Sequence, residues 1–304
     1  MINEIRVEPA IELINVTKRF GAQTAVDEIT LSIPAGTVFG LIGPNGAGKS
    51  TTIRMIMGLT RPDAGCVRVL GMDAGRDTHR IKRRIGYVPE LHYMYRWMRL
   101  GEALRFSAAF YPTWDRRLCE TLMDQFSLDA RKRIKQLSKG MLAKFALVLA
   151  LAHRPELLIL DEPTSGLDLF AREDFLDGVL RTMCDGSRTV LFSSHTIADV
   201  QRLADSVGII NHGRLLVHRP VDELLSTTKT VHAVLADGCL PQSAPLGAIW
   251  ERVQRREWSV TLTDFTPAKL DQLREQNAVE GVEVADLGLE DVFKAFVLGS
   301  TGRC

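Results

Sequence analysis

Residues 43–50 run Gly43-Pro44-Asn45-Gly46-Ala47-Gly48-Lys49-Ser50. The apolar run Val38-Phe39-Gly40-Leu41-Ile42 precedes them, and a stretch with helical apolar spacing, Thr51 to Leu59, follows. Strand, glycine-rich loop and helix form the setting in which G-x-x-x-x-G-K-[ST] wraps a phosphate chain. The glycines lack a Cβ, so the backbone can close on an anion. Loop N–H groups and the helix N-terminus aim positive dipoles at it. Lys49 adds a full charge, and the Ser50 hydroxyl suits a Mg²⁺ ligand. The segment from Gly43 to Thr51 is therefore expected to bind a nucleoside triphosphate.

The rest of the pattern fits a sheet around that loop. Ile11 to Phe20 alternates as a strand, and Cys66 to Leu70 and Ile85 to Val88 read as short strands. From about Leu100 to Arg154 the apolar spacing turns helical. Leu157-Leu158-Ile159-Leu160, Thr189-Val190-Leu191-Phe192 and Val207-Gly208-Ile209-Ile210 are uninterrupted apolar runs, as in parallel strands covered on both faces. Strands alternating with helices predict an α/β fold with a mostly parallel sheet, antiparallel edge strands and an inserted helical subdomain at about 91–154. After about Pro220 the pattern changes. Residues 220–304 are expected to form a small C-terminal α/β domain beside a domain of residues 1–219.

Composition narrows the function classes. There are 38 basic and 37 acidic residues, a net charge of +1, which gives no general pull toward nucleic acid. Cys66, Cys119, Cys184, Cys239 and Cys304 are odd in number and show no C-x-x-C pair, which suits a reducing cytosol rather than a disulfide framework or zinc site. No run approaches the roughly 20 apolar residues of a membrane span. Met1 to Pro9 carries Glu4, Arg6 and Glu8 and lacks the apolar core of a signal peptide. The expectation is a soluble protein, or one held at a membrane only through a partner.

Leu157 to Leu160 ends in Asp161-Glu162. An Asp at such a strand end holds Mg²⁺ in phosphate-loop enzymes. The adjacent Glu162 is placed to orient or deprotonate a water attacking the γ-phosphate. A capping acidic turn is the plainer alternative, weakened by the buried strand before the pair.

Six segments, taken in order, resemble the ATP-binding subunits of ABC transporters: Phe20 before Gly21, Gly43 to Thr51, Tyr87-Val88-Pro89-Glu90, Leu137-Ser138-Lys139-Gly140-Met141, Leu157 to Pro163 with Ser165-Gly166-Leu167-Asp168, and Ser193-Ser194-His195. The resemblance covers about residues 10–219. It implies a phosphate-loop NTPase fold, the ABC cassette, that hydrolyses ATP with Mg²⁺ at two sites in a head-to-tail dimer. It further implies that Phe20 stacks on adenine, that Glu162 and His195 serve hydrolysis, and that Ser50, Asp161 and Glu90 approach the metal. Ser138, Gly140 and Asp168 would complete the site of a second cassette, identical or different. A transmembrane permease subunit would be the membrane partner, with the chain on the inner face of the cell membrane. Three residues depart from the common pattern. Glu90 stands where Gln is usual, which puts its metal contact in doubt, and Lys139 and Met141 replace Gly and Gln. The Lys-Gly-Met form looks like the exporter-type branch whose six-helix membrane subunits are separate chains.

Two further features allow more than one reading. Leu91-His92-Tyr93-Met94-Tyr95-Arg96-Trp97-Met98 carries three aromatics and two Met, either as a contact surface for the membrane subunit or as local core. The runs His79 to Arg84 and Arg131 to Arg133 read as solvated faces rather than nucleic-acid patches. The alternative function, a soluble ABC ATPase acting on nucleic acid or the ribosome, calls for paired cassettes, long heptad arms or zinc cysteines, and none is present here.

Overall fold

The computed structural model describes residues 8–182, 188–237, 239–241 and 244–301. The chain opens with a long hairpin, β1 (Pro9–Phe20) and β2 (Gln23–Pro34), then enters β3 (Val38–Ile42) and α1 (Lys49–Ile56). β4 (Ala64–Val69) and the short β5 (Met72–Asp73) complete an antiparallel sheet ordered β2-β1-β4-β5. Next come α2 (Thr78–Lys82), β6 (Ile85–Val88), α3 (Leu100–Ala108), α4 (Arg116–Gln125), α5 (Lys139–Leu151), β7 (Leu157–Asp161), α6 (Leu169–Thr182), β8 (Thr189–Ser194), α7 (Ile197–Leu203), β9 (Ser206–Asn211) and β10 (Arg214–Pro220). They build a sheet ordered β10-β9-β3-β8-β7-β6, parallel except for the antiparallel edge strand β10.

The apolar runs are central because they are covered twice. In β7, Leu157 and Ile159 face the antiparallel sheet and α1, and Leu158 and Leu160 face α5 and α6. Two cores thus share one wall, with the period of two that a pleated strand imposes. Helix α5 is apolar nearly all round, since Phe145, Leu147, Val148 and Leu151 are all buried. It is a core helix, and among the described residues no helix is long and apolar enough to cross a membrane.

Beyond β10 the chain forms α8 (Val221–Thr227), β11 (Lys229–Leu235), β12 (Ala248–Gln254), β13 (Glu257–Leu262), α9 (Pro267–Gln276), β14 (Val279–Asp286) and α10 (Leu289–Thr301). The four strands form a second antiparallel sheet ordered β12-β13-β11-β14. Its own core is small: Val231, Ala233, Leu235, Val260, Leu262 and Leu273 surround Trp258, whose indole N–H donates to Glu251 at 3.2 Å. Trp258→Ala is expected to destabilise this sheet by about 3–5 kcal/mol, because a core this small cannot close over the void. Hydrogen exchange should show faster exchange in β11 and β13, with β3 and β7 unchanged.

Several elements depart from the sequence pattern. β2 is absent from the expected strands although Ile29-Thr30-Leu31-Ser32-Ile33 alternates strictly between buried and exposed; only its first half is irregular, where Glu28 sits at φ +51 and register shifts interrupt the pairing with β1. β10 and β12 are half-exposed strands whose apolar runs, Leu215-Leu216-Val217 and Ala248-Ile249-Trp250, are only three residues long. Residues 91–98, included in the expected helical subdomain, contain no helix, and the first helix there starts at Leu100. That segment divides its side chains. Met94 and Met98 pack on the main core, while Tyr93, Tyr95 and Trp97 are exposed, Tyr93 by 89%. Cys66, Cys119 and Cys239 are free thiols, and Cys184 and Cys304 lie outside the described residues.

Candidate functional site

β3 lies between β8 and β9, and its C-terminal end opens where strand order turns, the usual ligand crevice of an open α/β sheet. The loop from Gly43 to Gly48 fills this crevice. A Cβ on Gly43 would stand 2.3 Å from the Ile210 carbonyl oxygen, so only glycine lets the loop leave the strand here. Gly48 adopts φ +109, which L side chains rarely reach, and begins α1 without a side-chain cap. The first-turn N–H groups of α1 are thereby left without a side-chain acceptor.

The Lys49 side chain turns back over this loop. Its ammonium, 5% exposed, donates to the Gly43 and Pro44 carbonyls at 2.7 and 3.2 Å and pairs with Glu162 Oε1 at 3.1 Å. β7 delivers the two carboxylates from the next strand but one. Asp161 Oδ1 accepts from Ser50 Oγ at 3.2 Å and from Ser193 Oγ at 2.8 Å. Burial pushes the Asp161 carboxyl above its ordinary value, against the lowering effect of those two hydroxyls. Its contribution to fold stability is thus fullest below the usual Asp value and is lost as pH rises through the raised one. Burial, reinforced by the Asp161 charge, also lifts the nearby Tyr87 hydroxyl to about 12.

Glu162, 7% exposed, sits at φ +47, and its N–H donates to Ser193 Oγ at 3.0 Å. Its Oε2 lies 2.7 Å from His195 Nδ1 and accepts from the His195 N–H at 3.3 Å. The carboxylate as acceptor puts a proton on Nδ1 and leaves Nε2 free of this contact. Phe20, Asn45, Lys49, Glu90, Glu162 and His195 line one cleft of about 510 Å³. Gly46, Ala47, Gly48, Ser50 and Thr51 line it too. Phe20 is half exposed at its mouth, with the Lys18 ammonium 5.4 Å from the ring centre.

Ser138, Gly140 and Asp168 are not among the residues lining that cleft. Ser138 caps α5, accepting from the Met141 N–H at 3.2 Å, and Asp168 accepts from the Ala171 N–H at 2.9 Å. Both are exposed, and their helices touch: a Cβ on Gly140 would stand 2.6 Å from the Ala171 Cβ. Gly140 is buried against α6. The Lys139 ammonium lies 3.5 Å from where a Gly166 Cβ would be, over the loop of its own chain.

Two groups of supporting residues had no role in the sequence reading. Ser193 joins Asp161 to the Glu162 backbone, and its hydroxyl at a buried strand end was the available signal. Thr164 donates to buried Asp199 at 2.7 Å, and Arg172 pairs with the same carboxylate at 2.5 Å, tying the loop after Glu162 to α7. These three are spread over 35 positions, so spacing could not reveal them.

Comparison with known proteins gives concordant matches. The family model described as ABC transporter matches residues 26–165. The chain is 33% identical over 303 residues to the Nod factor export ATP-binding protein I of a Rhizobium species, covering 97% of each chain. It is 31% identical over 293 residues to a daunorubicin resistance ATP-binding protein of Streptomyces coeruleorubidus, covering 93% of this chain and 92% of that one. A solved ATP-binding subunit of an ABC transporter superposes with TM-score 0.64 at 31% identity, over 70% of this chain and 91% of that one.

Proposed function

We propose, from the premise that this chain belongs to the ATP-binding proteins of ABC transporters, that it energises export through a separate membrane subunit. The chain binds ATP and hydrolyses it, as its family does. The observation that carries the residue assignment is the convergence of three strand ends, β3, β7 and β8, on one cleft lined by Lys49, Ser50, Glu162 and His195, with Asp161 directly behind it on the Ser50 hydroxyl.

In this reading the phosphate loop and Lys49 hold the triphosphate, and Phe20 offers its face to the base. Glu162 takes a proton from water as the water oxygen bonds to the γ-phosphorus. The bond from that phosphorus to the bridging oxygen breaks, and its electron pair leaves with ADP. His195 keeps the Glu162 carboxylate turned toward the cleft. Ser50 and Asp161 put two hard oxygens 3.2 Å apart beside the loop, a donor set that fits Mg²⁺. Glu90, exposed at the rim, is a third oxygen donor on that side. Mg²⁺ there would neutralise charge on the β- and γ-phosphate oxygens. Ser138 and Asp168, exposed at the ends of α5 and α6, suit the γ-phosphate side of a second cassette, so two ATP molecules would lie between paired chains. Gly140 serves that arrangement by letting the two helices meet.

Similarity to proteins named for Nod factor export, bacitracin transport and daunorubicin resistance supports the outward direction. This chain offers a surface that suits contact with the membrane subunit. Trp97, Tyr95, Phe106 and Phe110 are exposed and form a ladder of ring contacts at 6.0, 6.3 and 5.2 Å. The basic runs offer less to nucleic acid, since Arg80, Arg84 and Arg131 pair with Asp77, Glu156 and Asp129.

The test is co-expression with a membrane protein of about six spans encoded beside this chain. The two should purify together, and the partner should stimulate hydrolysis. Replacing Tyr95 and Trp97 together with serine should cut that stimulation about ten-fold with ATP affinity unchanged, because exposed aromatics dominate such contacts. No stimulation by the membrane protein, with stimulation by RNA or DNA instead, would transfer the chain to the nucleic-acid class.

A further inference from the structure

Helix α10 belongs in sequence to the C-terminal unit but touches both parts of the chain. On one side it lies against β12. There Gly299 runs so close that a Cβ would stand 1.6 Å from the Ile249 carbonyl oxygen, an approach only glycine allows. On the other side α10 packs on α7, α8 and β9. Leu289, Val292 and Phe296 join the same apolar core as Val207 and Ile209 of β9. The last described turn of α10 adds a polar contact. Asn211 Nδ2 donates to Ser300 Oγ at 2.9 Å, and Ser300 Oγ donates to the Val297 carbonyl at 2.8 Å. Asn211 is 4% exposed, so its amide is largely shielded from water.

Asn211 ends β9, and the turn after it forms the back wall of the phosphate loop. The Ile210 carbonyl oxygen is the atom that Gly43 approaches. The Gly213 N–H donates to the Ala47 carbonyl at 2.9 Å, and the Gly213 carbonyl accepts from the Asp27 N–H at 2.8 Å. Between them His212 holds φ +47, a conformation that persists only when its surroundings fix it. The turn at 211–213 is therefore held from three sides: by the phosphate loop, by β2 and by α10. A displacement of Asn211 carries Ile210 and Gly213 with it, and both touch the loop.

We propose that α10 is a clamp that positions the phosphate loop: Ser300, through Asn211, fixes the wall behind the loop, so the C-terminal unit tunes nucleotide affinity. The proposal rests on the assignment of residues 43–50 as the ATP site. Ser300 and Asn211 are positioning residues, since neither lines the cleft. Binding by converging backbone N–H groups depends on sub-ångström placement, which is why so remote a contact is felt there.

The experiment uses the full chain and titrates Mg-ATP calorimetrically into wild type, Ser300→Ala and Ser300→Thr, with a thermal melt of each. One shielded hydrogen bond sets the scale, so Ser300→Ala should weaken Mg-ATP binding about five-fold. Ser300→Thr keeps the hydroxyl and should bind within about two-fold of wild type. Unchanged affinity in Ser300→Ala, with or without a lower melting temperature, overturns the clamp and leaves the ATP site standing. Equal weakening in Ser300→Ala and Ser300→Thr also overturns it, because the hydroxyl is then irrelevant. Failure of wild type to bind Mg-ATP instead overturns the nucleotide assignment, and the clamp with it.

Discussion

Glu162→Gln should lower ATP hydrolysis by about 10²- to 10⁴-fold, the span typical of a lost general base. The substitution keeps the shape but only one acceptor oxygen, enough for the Lys49 ammonium or for His195 and not for both, while the Lys49 contacts to the Gly43 and Pro44 carbonyls are untouched, so the loop should stay in place. It removes the basicity. ATP affinity should remain close to that of wild type, and the variant, unable to cleave what it binds, should accumulate as a pair of chains in Mg-ATP. Phosphate release measured beside light scattering checks both parts. Hydrolysis at the wild-type rate would remove Glu162 from the mechanism, whatever the pairing shows. If wild type is itself inactive when alone, the same comparison is made with its membrane subunit.

Lys49→Ala should weaken ATP binding about 10- to 100-fold, the worth of one to two charge-assisted hydrogen bonds. The ammonium is nearly buried and has two carbonyls and one carboxylate as partners, all within 3.2 Å. A triphosphate entering the loop offers oxygens that compete with Glu162 for that cation, leaving the glutamate to His195. The same substitution leaves Glu162 with one fewer counter-charge in a buried place, so a lower melting temperature should accompany the lost affinity. Equilibrium dialysis with Mg-ATP measures the first effect and a thermal melt the second. An affinity within about two-fold of wild type would mean that the nucleotide does not lie along this loop.

The parts of the fold that the sequence displays are those buried on both faces. β3, β7 and β8 read as unbroken apolar runs because helices cover one side and the antiparallel sheet the other. β10 and β12 lack that signature because they are half exposed, and β2 shows a period of two only from Ile29 to Ile33, past the irregular residue Glu28. In the cleft, the residues with a motif around them were legible, and the ones that hold them were not. Ser193 was visible only as part of a strand end, and Asp199 and Arg172 had no local pattern, because their pairing is created by the packing of α6 against α7. Residues 91–98 show the limit from another direction. Hydrophobicity marks Met94 and Trp97 alike, yet one fills the core and the other faces outward. The resemblance implies that Gly140 helps complete the site of a second cassette, and within its own chain a Cβ there would meet the Cβ of Ala171.

The pleat of β7 carries a consequence for its last carboxylate. Odd-numbered residues of the strand face the antiparallel sheet, and Asp161 follows that parity toward Ser50 and α1. Even-numbered residues face the helices, so an extended continuation would aim Glu162 into the hydrocarbon beside Leu158 and Leu160. The left-handed twist at φ +47 breaks the alternation one residue past the strand and sends two consecutive acids to the same helix start, Asp161 to Ser50 and Glu162 to Lys49. A sheet edge that obeyed its own rhythm could present only one of them. The irregular residue is what turns a strand terminus into a two-acid site, and its conformational cost, roughly 1 kcal/mol for a non-glycine residue in this region, is the toll of that double display.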